Sequence, residues 1–304
     1  MTPEQILSIK PKVLTQAQRE HYFREGYLLL EKAISDEWIQ KLRRATDELV
    51  ERGRKVTKSD KIYDLEPDHR PEAPRLRRVS NPVEQHPAYW DYVTQSPLAD
   101  IVADLVGPNV KFHHSKLNFK WAKGGEEVKW HYDISFWPHT NYSPLTVGTY
   151  LYDCGMDNGP LGVLPRSHEI EPMPSQYDAS GKWTGCLSEA DVAKIDKSKV
   201  VYLTGPAGSL TLHNCRMWHS SPTNLSDTGR PLLLYTLTSA DAFPYTINPI
   251  RSKHDQTIIR GKPAPWAHHD PRPCLMPPDW SGGYSSIFAL QQQEEGKRAA
   301  GGMM

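Results

Sequence analysis

No stretch of this 304-residue chain approaches the ~20 consecutive apolar residues that a membrane-spanning helix needs. Its start, MTPEQILSIKPKV, lacks the apolar centre of a secretory signal. Cysteine is scarce: Cys154, Cys186, Cys215 and Cys274 are scattered and form no CxxC pair. That spacing indicates neither a structural zinc site nor a disulfide framework. Net charge is absent too, with 36 basic and 36 acidic side chains, which argues against a nucleic-acid binder while leaving local patches open. No internal repeat is evident. These absences lead to the expectation of a soluble, cytoplasmic protein with reduced thiols, whose partner is a small molecule rather than a nucleic acid or a membrane. Oligomeric state is not legible.

What is present is enough to fold. Apolar residues make up 38% and aromatics 10%, the balance of a globular chain. The reading divides one domain, 1–304, into an N-terminal helical part (1–53), a strand-rich core (108–240) and C-terminal loops, a lid and a tail (251–304). Thr15-Gln16-Ala17-Gln18 has capping-box spacing, and Gly26 is placed to end the helix that it starts. Tyr27–Leu30 reads as a buried strand. Ser35 then caps a longer helix with Trp38, Ile39, Leu42, Ala45 and Leu49 on one face, closed by Gly53. Residues 54–80 are polar, without a clear period, and read as a long loop. Arg75, Arg77 and Arg78 belong to its basic excess, so a solvated loop and an anion-contacting segment are both open.

From about 108 to 240 short strands alternate with turns. The candidates are Val110–His114, Lys116–Trp121, Val128–Asp133, Val147–Asp153, Gly162–Pro165, Val200–Leu203, Ser209–Leu212 and Pro231–Thr238. Many short, evenly spaced strands suggest a β-sandwich or jelly roll. Residues 171–199 read as an insertion carrying a short helix near Ser188–Ile195. The tail is Pro-rich over 263–278 and ends in QQQEEGKRAAGGMM, expected to be mobile.

Within the strands, His131-Tyr132-Asp133 places an imidazole and a carboxylate two residues apart, on one face of a strand. Two histidines and one carboxylate can hold one face of an Fe(II) ion and leave the opposite positions open. His-x-Asp alone is weak, since His268-His269-Asp270 repeats the spelling in a Pro-rich loop. The first instance has a strand context and a later histidine. His219 and His213 are the candidates for the third ligand. Arg230 follows His219 by eleven residues, whereas the same step from His213 lands on Asn224, so His219 is preferred. Arg230 precedes the apolar run Pro231–Tyr235, where a buried guanidinium could bind a carboxylate in bidentate fashion.

These residues resemble the phytanoyl-CoA dioxygenase family, Fe(II)- and 2-oxoglutarate-dependent oxygenases. The likeness covers nearly the whole chain. Leu14–Leu30 is similar to the family's opening helix and strand, Trp130–Asp133 to its first metal motif, and Asn158–His168 to its turn after a central strand. Trp218–Asn224 through Arg230 resembles its second metal and co-substrate motif. Arg166 stands where the family usually has glycine, which puts that turn in doubt. The resemblance implies a mainly β fold with flanking α-helices, a double-stranded β-helix of the jelly-roll, cupin-like kind. It implies His131, Asp133 and His219 as metal ligands and catalytic residues, with Fe(II), 2-oxoglutarate and dioxygen as cofactor and co-substrates. Arg230 would pair with the distal carboxylate of 2-oxoglutarate, assisted by Ser221, Asn118 and Thr149. The reaction implied is hydroxylation or another oxidation of a small-molecule C–H bond, releasing succinate and CO2. Asp133 stands where related halogenases have a small residue, which favours oxidation over halogenation. Phe136, Trp137, His139, Trp218 and Tyr245 lie near the metal strands and are candidates for lining the substrate pocket.

Two other classes remain to be tested. One is a jelly-roll metal enzyme, an isomerase or hydrolase, that does not use 2-oxoglutarate; Arg230 argues against it. The other is a non-catalytic β-sandwich binding module, which has no need of an open triad.

Overall fold

The computed structural model describes residues 1–284 and 286–291. Two short helices open the chain, α1 (Pro3–Ser8) and α2 (Gln16–Glu25). The α2 capping box is formed: the Thr15 hydroxyl accepts from the Gln18 amide, and the Gln18 side chain accepts from the Thr15 amide at 2.8 Å. Gly26 ends α2 at φ +84°, and a Cβ there would meet Met217 and His168 at under 2.5 Å. Strand β1 (Tyr27–Leu30) leads to α3 (Asp36–Gly53), which buries Ile39, Leu42, Ala45 and Leu49. Ser35 holds the N-cap position without a capping hydrogen bond; Asp36 and Glu37 supply negative charge to that end instead.

Residues 54–80 are not the structureless loop that the sequence suggests. They contain β2 (Tyr63–Leu65) and β3 (Leu76–Ser80), an antiparallel hairpin added to a sheet edge. The basic residues mask it. Arg77 is held by Asp64 at 2.8 Å and Glu126 at 3.0 Å, while Arg78 is buried beside it, so β3 lacks the apolar alternation that marks a strand. Three helices follow, α4 (Pro82–Gln85), α5 (Pro87–Gln95) and α6 (Leu98–Val106), which is buried at every residue but Asp100.

Strand β4 (Val110–Lys120) is one continuous element where two were expected. The rest are β5 (Val128–His131), β6 (Leu145–Tyr150), β7 (Leu161–Val163), α7 (Glu189–Val192), β8 (Val201–Leu203), β9 (Leu210–Asn214), β10 (His219–Ser221), β11 (Arg230–Ser239) and β12 (Ile258–Arg260). They form two antiparallel sheets. The larger runs β1-β9-β6-β11-β4-β3-β2, with β12 also on β4; the smaller runs β5-β10-β7-β8. This is the jelly-roll arrangement. Its outer face packs on α3, α5 and α6 through Leu42, Tyr92, Val102, Leu117, Val147 and Leu233. A second cluster, rich in Trp and Tyr, gathers Tyr132, Trp137, Tyr142, Trp183, Trp218 and Trp280.

Arg166 adopts φ +63°, the left-handed conformation that favours glycine, and its guanidinium meets Glu169 at 2.9 Å. The family's usual glycine at this turn therefore has a backbone reason, and arginine accommodates it. Among the described residues no helix is long and apolar enough to cross a membrane. Of the tail expected to be mobile, residues 292–304 lie outside the described residues.

Candidate metal centre and active site

The register of β5 and β10 creates the site. His131 pairs directly with His219 across the two strands. Asp133 lies two residues past His131, just beyond the end of β5, rather than on the strand. One ligand atom from each of the three residues lies within 4.8 Å of the other two, and all three are buried. Asp133 Oδ1 is 3.8 Å from Nε2 of both His131 and His219.

The ring orientations fit a cation. His131 Nδ1 donates to the Lys129 carbonyl at 2.8 Å, and His219 Nδ1 donates to the Met217 carbonyl at 2.9 Å. Each bond leaves the Nε2 lone pair directed at the shared centre, as metal-ligating histidines require. Burial pushes the His131 pKa down to about 4 and that of His219 well below its ordinary value, so both rings are neutral at pH 7. Burial alone would raise the Asp133 carboxyl; His213, His219 and Lys116 around it outweigh that and hold it well below the usual carboxylate range.

His213, the candidate rejected on spacing, also reaches this carboxylate. Its Nε2 lies 3.4 Å from the other oxygen, Oδ2, and neither ring nitrogen has a hydrogen-bond partner. The Thr146 hydroxyl donates to the same Oδ2 at 2.7 Å. Thr146 therefore fixes the rotamer that turns Oδ1 toward the two histidines. Thr146→Val is expected to weaken Fe(II) binding by about 10- to 100-fold, as loss of an orienting partner does. Metal titration by calorimetry measures it, and unchanged affinity would show that Thr146 orients nothing.

A cavity of about 890 Å³, its open mouth included, joins the triad to Arg230. Arg230 is 3% exposed and, among the described residues, bonds only the Gly159 carbonyl and the Ser221 hydroxyl, the latter at 3.1 Å. Its Nε has no partner, and among the described residues no carboxylate pairs with it. A buried, uncompensated guanidinium is costly, and a carboxylate ligand removes that cost. Ser221 also donates to the Gly159 carbonyl at 2.9 Å, which locks the edge on which Arg230 rests.

The ladder explains which other side chains face inward. Arg230, Leu232 and Leu234 of β11 pair with Lys120, Asn118 and Lys116 of β4, and Arg78 of β3 pairs with Asn118. All line the cavity. Alternate residues Leu117 and Phe119 face the helical core. Lys120 spends its three N–H groups on the carbonyls of Glu126, Ser221 and Pro222; burial and the Arg230 charge push its pKa down to about 7.

The remaining sequence candidates separate. Phe136 and Trp137 line the cavity. His139, Trp218 and Tyr245 do not. His139 is turned to the Trp137 carbonyl at 2.6 Å, Trp218 packs in the aromatic cluster, and Tyr245 is 48% exposed near His269. Thr149 is also off the cavity. On β6 the inward parity belongs to Thr146, so Thr149 faces outward and bonds the Tyr92 hydroxyl of α5 at 2.9 Å. Thr149→Val is expected to cost about 1–2 kcal/mol in urea unfolding and to leave 2-oxoglutarate affinity unchanged. A selective loss of that affinity would return Thr149 to the site. Residues not picked out from sequence include Lys116, Lys120, Thr146 and the C-terminal Tyr284 and Phe288, while Arg78, named only within the basic excess of 54–80, also lines the cavity. Once Asn118 faces inward, strand parity implies Lys116 and Lys120 as well.

Comparison with known proteins gives the family. The sequence model of the family described as phytanoyl-CoA dioxygenase (PhyH) matches residues 22–232. The chain belongs to the phytanoyl-CoA dioxygenase family. It is 31% identical to a Stutzerimonas stutzeri protein described as a "probable alpha-ketoglutarate-dependent hypophosphite dioxygenase", over 75% of this chain and 79% of that one. It is 25% identical to the ectoine dioxygenase of Sphingopyxis alaskensis, over 83% and 82%. The crystal structure of EctD from S. alaskensis with 2-oxoglutarate and 5-hydroxyectoine shares the fold at a TM-score of 0.67 and 22% identity, covering 90% of this chain and 94% of that one. As a member of the family, the protein is a non-haem iron, 2-oxoglutarate-dependent oxygenase.

Proposed function

We propose that this oxygenase oxidises a C–H bond, or a comparable element–hydrogen bond, of a small molecule. His131, Asp133 and His219 would hold Fe(II), and Arg230 with Ser221 and Asn118 would receive 2-oxoglutarate. The observation that carries this reading is the buried Arg230 in the same cavity as the triad, with no carboxylate partner among the described residues. An isomerase or hydrolase using the three ligands alone has no use for that cation, and a binding module has no use for the ligands.

Held there, iron with 2-oxoglutarate and dioxygen would supply the oxidation, with succinate and CO2 as co-products. The chain's own task is placement. Three ligands on one face leave the opposite face for co-substrate and substrate. The carbonyls of Lys129 and Met217 hold the two imidazoles, and Thr146 holds the carboxylate. Arg230, with the Ser221 hydroxyl beside it, would pin the distal carboxylate, so that the keto acid end points to the metal. Phe136, Trp137 and Tyr284 wall the cavity with aromatic surface and limit water.

The relatives' names span hypophosphite, ectoine and proline. The substrate therefore has to be read from this chain's own cavity. Succinate formation from 2-oxoglutarate in air with Fe(II), compared with and without candidate substrates, tests the reading.

A further inference from the structure

Behind the cavity wall, a line of buried polar side chains leads away from the triad. It starts at an irregularity in the sheet. Between β4 and β11, Thr236 faces His114 but the next residue, Leu237, faces Phe112, so His113 is an extra residue on β4, a β-bulge. The segment between β11 and β12 clamps it: the Asn248 side chain donates to the His113 carbonyl at 3.1 Å, and the Phe112 backbone bonds Gln256 and Thr257 at 2.9 Å. Regular alternation would send adjacent side chains to opposite faces. At the bulge the His113 and His114 rings instead meet, Nδ1 to Nδ1, at 2.6 Å.

From there the contacts run in one line to the triad. His114 Nε2 lies 3.3 Å from the Thr236 hydroxyl, that hydroxyl 3.4 Å from the Thr146 hydroxyl, and Thr146 2.7 Å from Asp133 Oδ2. His113, His114, Thr146 and Thr236 are all buried. Burial pushes the His113 pKa down to about 3 and that of His114 well below its ordinary value, so each ring is neutral and carries one N–H. The direction of every bond then follows from the carboxylate end. Asp133 only accepts, so Thr146 commits its one hydrogen there. Thr146 can meet Thr236 only as an acceptor, so Thr236 donates to it. Thr236 in turn accepts from the Nε2–H of His114. That leaves His114 Nδ1 as a lone pair, which accepts from the Nδ1–H of His113. Of these four residues only Thr146 lines the cavity, so the other three reach the chemistry through Asp133 alone.

We infer that His114 and Thr236 are positioning residues for the metal: with His113 and Thr146 they form a one-way chain of hydrogen bonds that fixes the Asp133 carboxylate. This inference rests on the iron reading of the triad. A hydroxyl hydrogen is free to rotate. His114, anchored in the bulge, sets the Thr236 rotor, and Thr236 sets that of Thr146. Donors aligned head to tail also polarise one another, so Asp133 receives a stronger bond than a lone threonine would give. A firmly held Oδ2 keeps Oδ1 turned toward His131 and His219.

The test titrates Fe(II) without oxygen into the full-length protein and its variants by calorimetry. Thr236→Val should weaken Fe(II) binding about 3- to 10-fold, less than Thr146→Val because it acts one bond further away. Thr236→Ser keeps the hydroxyl and should restore most of the loss, and His114→Phe should act in the same direction as Thr236→Val. Because the two threonines act in series, the double variant Thr146→Val with Thr236→Val should bind Fe(II) within about 2-fold of Thr146→Val alone. Once saturated with iron, the Thr236→Val variant should bind 2-oxoglutarate as the unsubstituted protein does. Long-range 1H–15N NMR spectra of the unsubstituted, Zn(II)-loaded protein should show His114 protonated at Nε2 and His113 at Nδ1, a readout that needs no variant to fold. Additive losses in the double variant, an equal loss with Thr236→Ser, a matching fall in 2-oxoglutarate affinity, or a His114 protonated at Nδ1 overturns the inference. Failure of the unsubstituted protein to bind either metal ion would instead overturn the iron reading beneath it.

Discussion

Asp133→Ala and His219→Ala are each expected to lose Fe(II) at working concentrations and to form succinate at least about 1,000-fold more slowly, a change of ~4 kcal/mol. The reason is local. Asp133 Oδ1 sits 3.8 Å from both imidazole Nε2 atoms, and its other oxygen is already taken up by Thr146. His213 lies 3.4 Å from that second oxygen and is not among the three residues whose ligand atoms converge, so it is not placed as His219 is. Calorimetric Fe(II) titration with a succinate assay measures both effects, and circular dichroism checks that the variants are folded. Near-normal metal affinity in either variant would mean that the ion is held elsewhere.

Arg230→Ala is expected to separate the co-substrate from the metal. Fe(II) affinity should be unchanged, while 2-oxoglutarate affinity falls by about 100-fold or more, ~3 kcal/mol, the cost of deleting one partner of a buried charge pair. Arg230→Lys keeps the charge and loses the planar fork, so it should fall between the two. The Ser221 hydroxyl and the Gly159 carbonyl already hold the guanidinium in place, which lets it act without prior ordering. A parallel loss of metal affinity would mean that Arg230 supports the fold rather than the co-substrate.

How much of this was legible in the sequence depended on where each signal lay. The His131-x-Asp133 pair could be placed because β5 leads into it, and the strand register then brought His219 opposite. The jelly roll was legible from short strands and their turn residues. The hairpin within 54–80 was not, because Arg77 and Arg78 sit where apolar residues would have marked a strand. Thr149 was misplaced by one parity step: Thr146, three residues earlier on β6, is the threonine that faces the cavity and bonds Asp133. The cationic wall was missed although the alternation Lys116-Leu117-Asn118-Phe119-Lys120 encodes it. Polar residues normally mark the solvent face of a strand, and here the sheet is covered on both faces, so they mark the cavity. His139, Trp218 and Tyr245 are near the ligands along the chain, yet turn to backbone, the aromatic cluster and solvent. Tyr284 and Phe288 lie in a C-terminal segment with no period to read, and only tertiary packing brings them to the cavity.

The most direct test of the central claim is an anaerobic calorimetric titration of 2-oxoglutarate into the Fe(II)-loaded protein, beside Asp133→Ala and Arg230→Ala. One 2-oxoglutarate is expected per iron-bearing chain, with no tight binding in Asp133→Ala and about 100-fold weaker binding in Arg230→Ala with its iron retained. Equal 2-oxoglutarate binding by all three proteins, or none by the iron-loaded parent, would contradict the central claim.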